Sequence, residues 1–240
     1  MEAVKEREGL SERLETAGQS GMGLSVWAEV QPDKACVIDP DGRTRTFAEV
    51  NRNANRIVRL LRGAGLKAGD AVALAMSNRG EFVEVLAAAQ RGGFRITPVN
   101  WHLTADEIAY ILNDCEALAL FGEARIAACG PAAEAAPNLK LKAAVGGGIA
   151  GFVDFDEALA ALDGHDIENP VLGAQMLYTS GTTGRPKGVY RANPPPPVPQ
   201  AMYVTRGYDA HSVQLCAGPA YHAAPLAFDV RVAMSAGATL

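Results

Sequence analysis

Gln175-Met176-Leu177-Tyr178-Thr179-Ser180-Gly181-Thr182-Thr183-Gly184-Arg185-Pro186-Lys187-Gly188-Val189-Tyr190 is the stretch on which the reading of this chain turns. The apolar run from Met176 to Tyr178 predicts a short strand that runs into a loop. Four hydroxyl residues and two glycines then precede a lysine. Glycines let a backbone turn so that its N–H groups converge on an anion. The hydroxyls of Thr179, Ser180, Thr182 and Thr183 add donors, and Lys187 adds a compact positive charge suited to phosphate. Pro186 has no N–H and a fixed φ, which restricts the direction in which the lysine leaves the loop. In outline this is a polyphosphate cradle.

The pattern differs from G-x-x-x-x-G-K-[ST], in which the lysine opens a helix. Here Lys187 stands between Pro186 and Gly188, and Val189-Tyr190 predicts a second strand. On composition alone an ordinary flexible loop between two strands is the better reading. The order of the residues reverses that judgement. Tyr-Thr-Ser-Gly-Thr-Thr-Gly-x-Pro-Lys-Gly-Val closely resembles the phosphate-binding signature of adenylate-forming enzymes, the superfamily of acyl-CoA synthetases, luciferases and peptide-synthetase adenylation domains.

Working outward, the 240-residue chain is 48% hydrophobic, enough for a sizeable core. Its net charge of −5 argues against a nucleic-acid partner, which favours a basic footprint. No apolar run reaches the length of a membrane span, and the charged residues between Glu2 and Glu15 exclude a signal peptide's apolar segment. Cys36, Cys115, Cys129 and Cys216 form no C-x-x-C pair and read as reduced core cysteines, which points to the cytoplasm.

Upstream of the loop, strand and helix patterns alternate. A charged helix is expected to about Gly23, a short helix over Leu24 to Val30, and strands over Lys34 to Ile38 and Arg45 to Phe47, joined at Asp41-Gly42. Phe47, Val50, Ala54, Ile57, Val58 and Leu61 then recur at helical spacing. Strands are predicted at Ala71 to Met76, Arg95 to Val99, Leu118 to Phe121 and Leu139 to Val145. Helices are predicted at Glu81 to Gln90, from the Thr104–Glu107 capping box to Asp114, near Arg125 to Ala136 with an interruption at Pro131, and over Asp154 to Leu162. The fold class is therefore α/β, with a mainly parallel sheet covered by helices on both faces. The organisation expected is a charged helix over 1–23, a first α/β subdomain over 24–170, and the start of a second over 171–240 that carries the loop.

The resemblance extends to Gly92 through Asn100, where Pro98-Val99-Asn100 matches the Pro-Val-Asn of acyl-CoA synthetases. Peptide-synthetase adenylation domains usually carry Pro-Leu-Asp there. Downstream, Pro194 to Pro197 departs from the family's pattern; four successive prolines favour an extended polyproline spacer. A strand is expected over Ser212 to Cys216, then Pro219-Ala220-Tyr221-His222, then a helical run toward Ser235. Taken alone, Tyr221-His222 reads as a packed, hydrogen-bonded pair. It resembles the family's Pro-x-Tyr/Phe-His motif, which borders the acyl pocket and the reacting carboxylate. His102, His165 and His211 show no ligand spacing and receive no role.

The resemblance covers nearly the whole chain but only about the first half of a typical family member, so this is expected to be the N-terminal portion of such an enzyme's large domain. It implies that ATP and a carboxylic acid, here a fatty or other apolar acid, give an acyl-adenylate that coenzyme A then converts to a thioester. It implies cofactor-binding roles for Thr179, Ser180, Gly181, Thr182, Thr183, Gly184 and Lys187, and a Mg²⁺ contact at Thr179. Lys187 and His222 would be catalytic, and Tyr221 and His222 would bind the acid. Because the family's adenine, ribose and C-terminal lysine motifs fall beyond Leu240, the chain alone is expected to show little acid-dependent exchange of pyrophosphate into ATP. A non-catalytic nucleotide- or phosphate-binding module and an amino-acid adenylation domain are the alternatives.

Overall fold

The computed structural model describes residues 2–179, 185–190 and 207–240. The expectations that rest on Ser180, Gly181, Thr182, Thr183 and Gly184, and on the Pro194–Pro197 run, lie outside the described residues.

Helices α1 (Glu2–Gly18) and α2 (Gly23–Val30) lead into an antiparallel hairpin of β1 (Ala35–Ile38) and β2 (Thr44–Thr46). Helix α3 (Phe47–Gly63) starts at a capping box in which Thr46 and Glu49 satisfy each other's backbone N–H. The helically spaced Phe47, Val50, Ala54, Ile57, Val58 and Leu61 are all fully buried. Burial of each larger side chain contributes roughly 1.5–3 kcal/mol, which fixes α3 against α4 and the rest of that core despite its otherwise polar sequence.

The central strand β3 (Ala71–Ala75) is buried on both faces. It is followed by α4 (Gly80–Gly92), β4 (Arg95–Pro98), α5 (Ala105–Asp114), β5 (Ala117–Glu123), α6 (Cys129–Glu134), β6 (Leu141–Val145), β7 (Val153–Asp154), α7 (Phe155–Ala160), β8 (Ala174–Thr179) and β9 (Lys187–Tyr190). These strands form one seven-stranded sheet in the order β7-β6-β5-β3-β4-β8-β9. Every pair in it is parallel except β8 with β9. Val72 and Leu74 pack with Phe82 and Leu86 of α4, whereas Ala73 and Ala75 pack with Ile108 and Ile111 of α5. The period-2 alternation of β3 thus builds two cores, one on each face, and the mainly parallel α/β expectation holds.

Two local expectations need correction. Helix α6 begins at Cys129 and contains Pro131 without a break. In a first turn the proline's missing N–H has no helical partner to lose. The stretch from Ser212 to Cys216 forms a single parallel bridge, Val213 with Thr239, in place of a strand. The carbonyls of Cys216 and Gly218 accept hydrogen bonds from the Asn78 side chain, so the chain leaves the ladder there.

The C-terminal segment closes on the N-terminal hairpin. Helix α8 (Ala223–Pro225), a π-helical turn over Leu226–Val230 and α9 (Arg231–Ala236) follow one another without a gap. Trp27 Nε1 donates to Ser235 O at 3.1 Å, and Lys34 Nζ donates to Gly237 O at 2.6 Å. Leu240 then pairs with β1, donating to Cys36 O and accepting from Ile38 N. Among the described residues no helix is long and apolar enough to cross a membrane. The four cysteines are free, three of them buried.

Candidate functional site

Because β4 and β8 are parallel, Thr179 lies at the carboxyl end of the sheet, as do Ser77, Asn78 and Arg79 after β3 and Glu123 at the end of β5. Carboxyl edges of open parallel sheets are where ligands bind, at the crevice between strands whose following helices lie on opposite faces. Here that place falls between β3, which leads to α4 on one face, and β5, which leads to α6 on the other.

Strands β8 and β9, predicted on either side of the Gly/Thr loop, pair antiparallel as a hairpin, with Tyr178 opposite Gly188 and Thr179 opposite Lys187. Both Thr179 and Lys187 are exposed. Thr179 Oγ1 lies 3.5 Å from Lys187 O, at the outer limit of a hydrogen bond. Among the described residues, Lys187 Nζ has no hydrogen-bond or ion-pair partner. The two side chains therefore remain available to a ligand.

The hairpin's geometry is fixed from its base. Met176 and Tyr178 lean on the α5 core and Leu177 on the α4 core, as strand alternation requires. The Tyr178 hydroxyl donates to Asp114 Oδ2 of α5. Burial and the Asp114 carboxylate both push its ionisation far above the usual phenol range, so it stays a neutral donor. A side-chain carbon on Gly188 would lie 2.1 Å from Met176 Cε and 3.1 Å from Tyr178 Cζ, so a side chain there would displace both of these β8 residues. Arg185 lies over the Tyr110 ring at 5.3 Å and Arg95 over Tyr190 at 5.1 Å, tying the return strand to the same region.

Tyr221 and His222 form the second pair, their ring centroids 4.6 Å apart and tilted by 49°. His222 is exposed and Tyr221 half-buried; desolvation raises the Tyr221 pKa. Pro219 O accepts from His222 N at 3.0 Å, and His222 O accepts from Leu226 N at 3.1 Å. Cys216, in the same segment, is pushed up to about 11 by burial and then by Asp229, so it is a neutral thiol near pH 7. No hydrogen bond, ion pair or ring contact joins this pair to Thr179 or Lys187 among the described residues.

Sequence reasoning missed the polar frame beneath the Tyr221-His222 segment. Glu123 Oε2 accepts from both the backbone N and the hydroxyl of Ser77 at 2.9 Å. Glu123 Oε1 lies 3.2 Å from Arg79 and 2.5 Å from Arg125. Burial alone would lift this carboxyl; the Ser77 donors and Arg125 outweigh it and hold the pKa below the usual range. Arg79 continues the chain to Glu81 at 2.7 Å, and Glu81 to Arg45 at 2.6 Å. Arg45 also pairs with Asp39. The crevice at the carboxyl end is thus filled by the protein's own ion pairs. The only sequence signal was the closeness of Glu81, Glu84, Arg79 and Glu123 to strand ends, which ordinary surface charges share.

A nucleotide polyphosphate matches the donor set at the hairpin, a hydroxyl and an unpaired ammonium on adjacent strands. For a divalent cation the described residues offer the Thr179 hydroxyl. They contain no group of three His, Cys, Asp or Glu side chains that could hold a metal.

Comparison with known proteins bears on the same site. The sequence profile described as "AMP-binding enzyme" matches residues 24–240. The chain is 36% identical over 171 residues to the fatty acid–[acyl-carrier-protein] ligase ScoC of Streptomyces coeruleorubidus, covering 70% of this chain and 32% of that protein. It is 30% identical over 177 residues to the long-chain-fatty-acid–CoA ligase FadD13 of Mycobacterium tuberculosis, covering 70% of this chain and 34% of that one. Among solved structures, the anthranilate CoA ligase AuaEII in complex with anthranoyl-AMP superposes with a TM-score of 0.77 at 21% identity, over 90% of this chain and 43% of that chain. The chain spans about a third of the length of the two curated relatives.

Proposed function

The chain belongs to the AMP-binding enzyme family, and from that membership we propose that it is the N-terminal portion of an acid–thiol ligase of the acyl-CoA synthetase type. In this reading ATP and a carboxylic acid give an acyl-adenylate and pyrophosphate, and coenzyme A then displaces AMP. The observation that carries the proposal is the β8–β9 hairpin at the carboxyl end of the sheet, which holds Thr179 and Lys187 side by side, both exposed, at the two ends of the Gly/Thr loop.

The residues' contributions follow from electrostatics. Attack of the carboxylate on the α-phosphorus leaves charge building on pyrophosphate, and fixed donors aimed at that charge lower the barrier. Lys187 supplies the ammonium, while Thr179, Ser180, Thr182 and Thr183 supply hydroxyls and Gly181 and Gly184 supply backbone N–H groups. Mg²⁺, with Thr179 as its protein ligand, would share the phosphate charge. Tyr221 and His222 border the acid, with His222 oriented against the reacting carboxylate. The acid is proposed to be fatty or otherwise apolar, in keeping with the names of the fatty-acid relatives. A cytoplasmic setting and a place in fatty-acid metabolism belong to the same proposal; the free cysteines support the former. The division at about residue 170, with the hairpin opening a second subdomain, is also part of it.

Acid-dependent exchange of labelled pyrophosphate into ATP tests this reading in the full polypeptide that carries these residues. A panel of aliphatic acids, aromatic acids and amino acids should give exchange with the first or second class. Exchange with amino acids alone would make it an amino-acid adenylation domain. ATP binding without exchange for any acid would make it a non-catalytic nucleotide-binding module.

A further inference from the structure

We propose that Asn78 is the positioning residue of this site, clamping the backbone on either side of Gly218 so that Tyr221 and His222 are presented at the carboxyl end of the sheet. The proposal rests on the reading of Tyr221-His222 as the acid-binding pair.

Asn78 uses both ends of its amide. Nδ2 donates to Gly218 O at 2.8 Å and to Cys216 O at 3.3 Å, while Oδ1 accepts from Ala220 N at 2.8 Å. The orientation of the amide is forced, because carbonyls only accept and a backbone N–H only donates. Backbone groups without a ladder need some partner, and this segment has left the Val213–Thr239 bridge. One side chain therefore replaces a neighbouring strand for three residues in alternation.

The clamp is itself held from both sides. Ser77 before it is bonded to Glu123 through backbone and hydroxyl, and Arg79 after it is paired with Glu81 and Glu123. On the far side Gly218 packs closely on Pro225: a carbon added there would lie 2.6 Å from Pro225 Cγ. Ala220 is buried, and His222 N closes a turn on Pro219 O. Holding residues 218–220 thus fixes the Cα positions of Tyr221 and His222, one and two residues further on. A displacement on the order of 1 Å at such a pair is enough to cost ~100-fold in rate, so a rigid support has a use that ordinary loop stability does not.

Two measurements decide the proposal. In this chain, Asn78→Ala should speed amide hydrogen exchange at Ala220 by at least ~tenfold, while Ile57 and Val72 keep their protection. Unchanged exchange at Ala220 overturns the clamp, and equal acceleration at all three sites overturns it in favour of a general stabilising role. If Asn78→Ala does not fold, Asn78→Asp keeps the shape and the acceptor for Ala220 N. It sets a carboxylate oxygen against the Gly218 and Cys216 carbonyls, so the acceleration should then appear with Ala220 N still bonded, at His222 N. In the full polypeptide, Asn78→Ala should slow adenylate formation roughly tenfold with His222 present and less than about twofold in a His222→Ala background. Multiplicative losses would mean that Asn78 does not act through His222. Absence of adenylate formation in the wild type with every acid would instead overturn the functional reading, while exchange at Ala220 still decides the clamp.

Discussion

Thr179 and Lys187 stand opposite each other in the register pair that closes the β8–β9 hairpin, both exposed, with the Thr179 hydroxyl 3.5 Å from the Lys187 carbonyl. Any ligand that engages one is within reach of the other. The strand pairing sets where Lys187 starts.

That arrangement predicts a split between half-reactions. Only an interaction that strengthens in the transition state raises the chemical rate, and in the proposed function the Lys187 ammonium would meet growing charge as pyrophosphate separates. Lys187→Ala in the full polypeptide should slow adenylate formation by roughly 10²–10³-fold. Thioester formation from a supplied acyl-adenylate involves no pyrophosphate and should change far less. Equal losses in both steps would remove the phosphate role.

For the second pair the expected signature concerns the acid. His222→Ala should weaken the apparent affinity for the carboxylic acid or slow its adenylation by roughly 10-fold or more, leaving the affinity for ATP within about twofold. Isothermal titration with ATP and steady-state kinetics in the acid separate the two. A loss of ATP affinity as large as the loss for the acid would show that His222 lies on the nucleotide side.

Glu84 gives a pH-dependent prediction. It is 1% exposed and faces Asn53 of α3 and Arg45 of β2, and burial pushes its carboxyl up to about 7. The folded protein therefore binds this proton more tightly than the unfolded chain, whose carboxyl titrates near 4.5. The sign follows: stability from this group is complete below about pH 4.5 and is lost as pH rises through about 7. Glu84→Gln abolishes that loss, while Arg45 keeps Asp39 and Glu81 as partners. Urea unfolding at pH 5 and pH 8 should show the variant gaining on the wild type by about 2 kcal/mol between the two pH values. A difference that stays constant, or runs the other way, would show Glu84 ionised throughout.

Gly237 ends α9 with φ at +68°, and a carbon added there would lie 2.6 Å from the Trp27 indole. Gly237→Ala meets both a left-handed backbone and a crowded ring, and should destabilise the chain by about 2–3 kcal/mol. Because Trp27 also donates to Ser235 O, its fluorescence should report the shift before global unfolding. Unfolding curves that superpose on the wild type would mean that the C-terminal segment does not dock on α2 in solution.

How much of this could be read from the sequence depends on the range of the forces involved. The capping box at Thr104, the spacing of Phe47 to Leu61 and the apolar run through β3 act within a few residues, so composition and period reveal them. The order Thr-Ser-Gly-Thr-Thr-Gly through Lys187 is legible for a different reason, its resemblance to a known phosphate-binding signature, and that resemblance is what points to phosphate. The strand expected over Ser212 to Cys216 failed because a side chain 138 residues earlier takes its carbonyl. Nothing local to either stretch announces that bond. The same holds for Glu123, whose carboxylate joins Ser77, Arg79 and Arg125 from the end of another strand. Local sequence by itself determined most of the helices and strands and the donor groups that the loop carries. Tertiary structure alone decided which carboxyl-edge groups meet, because parallel pairing brings together strand ends that lie dozens of residues apart.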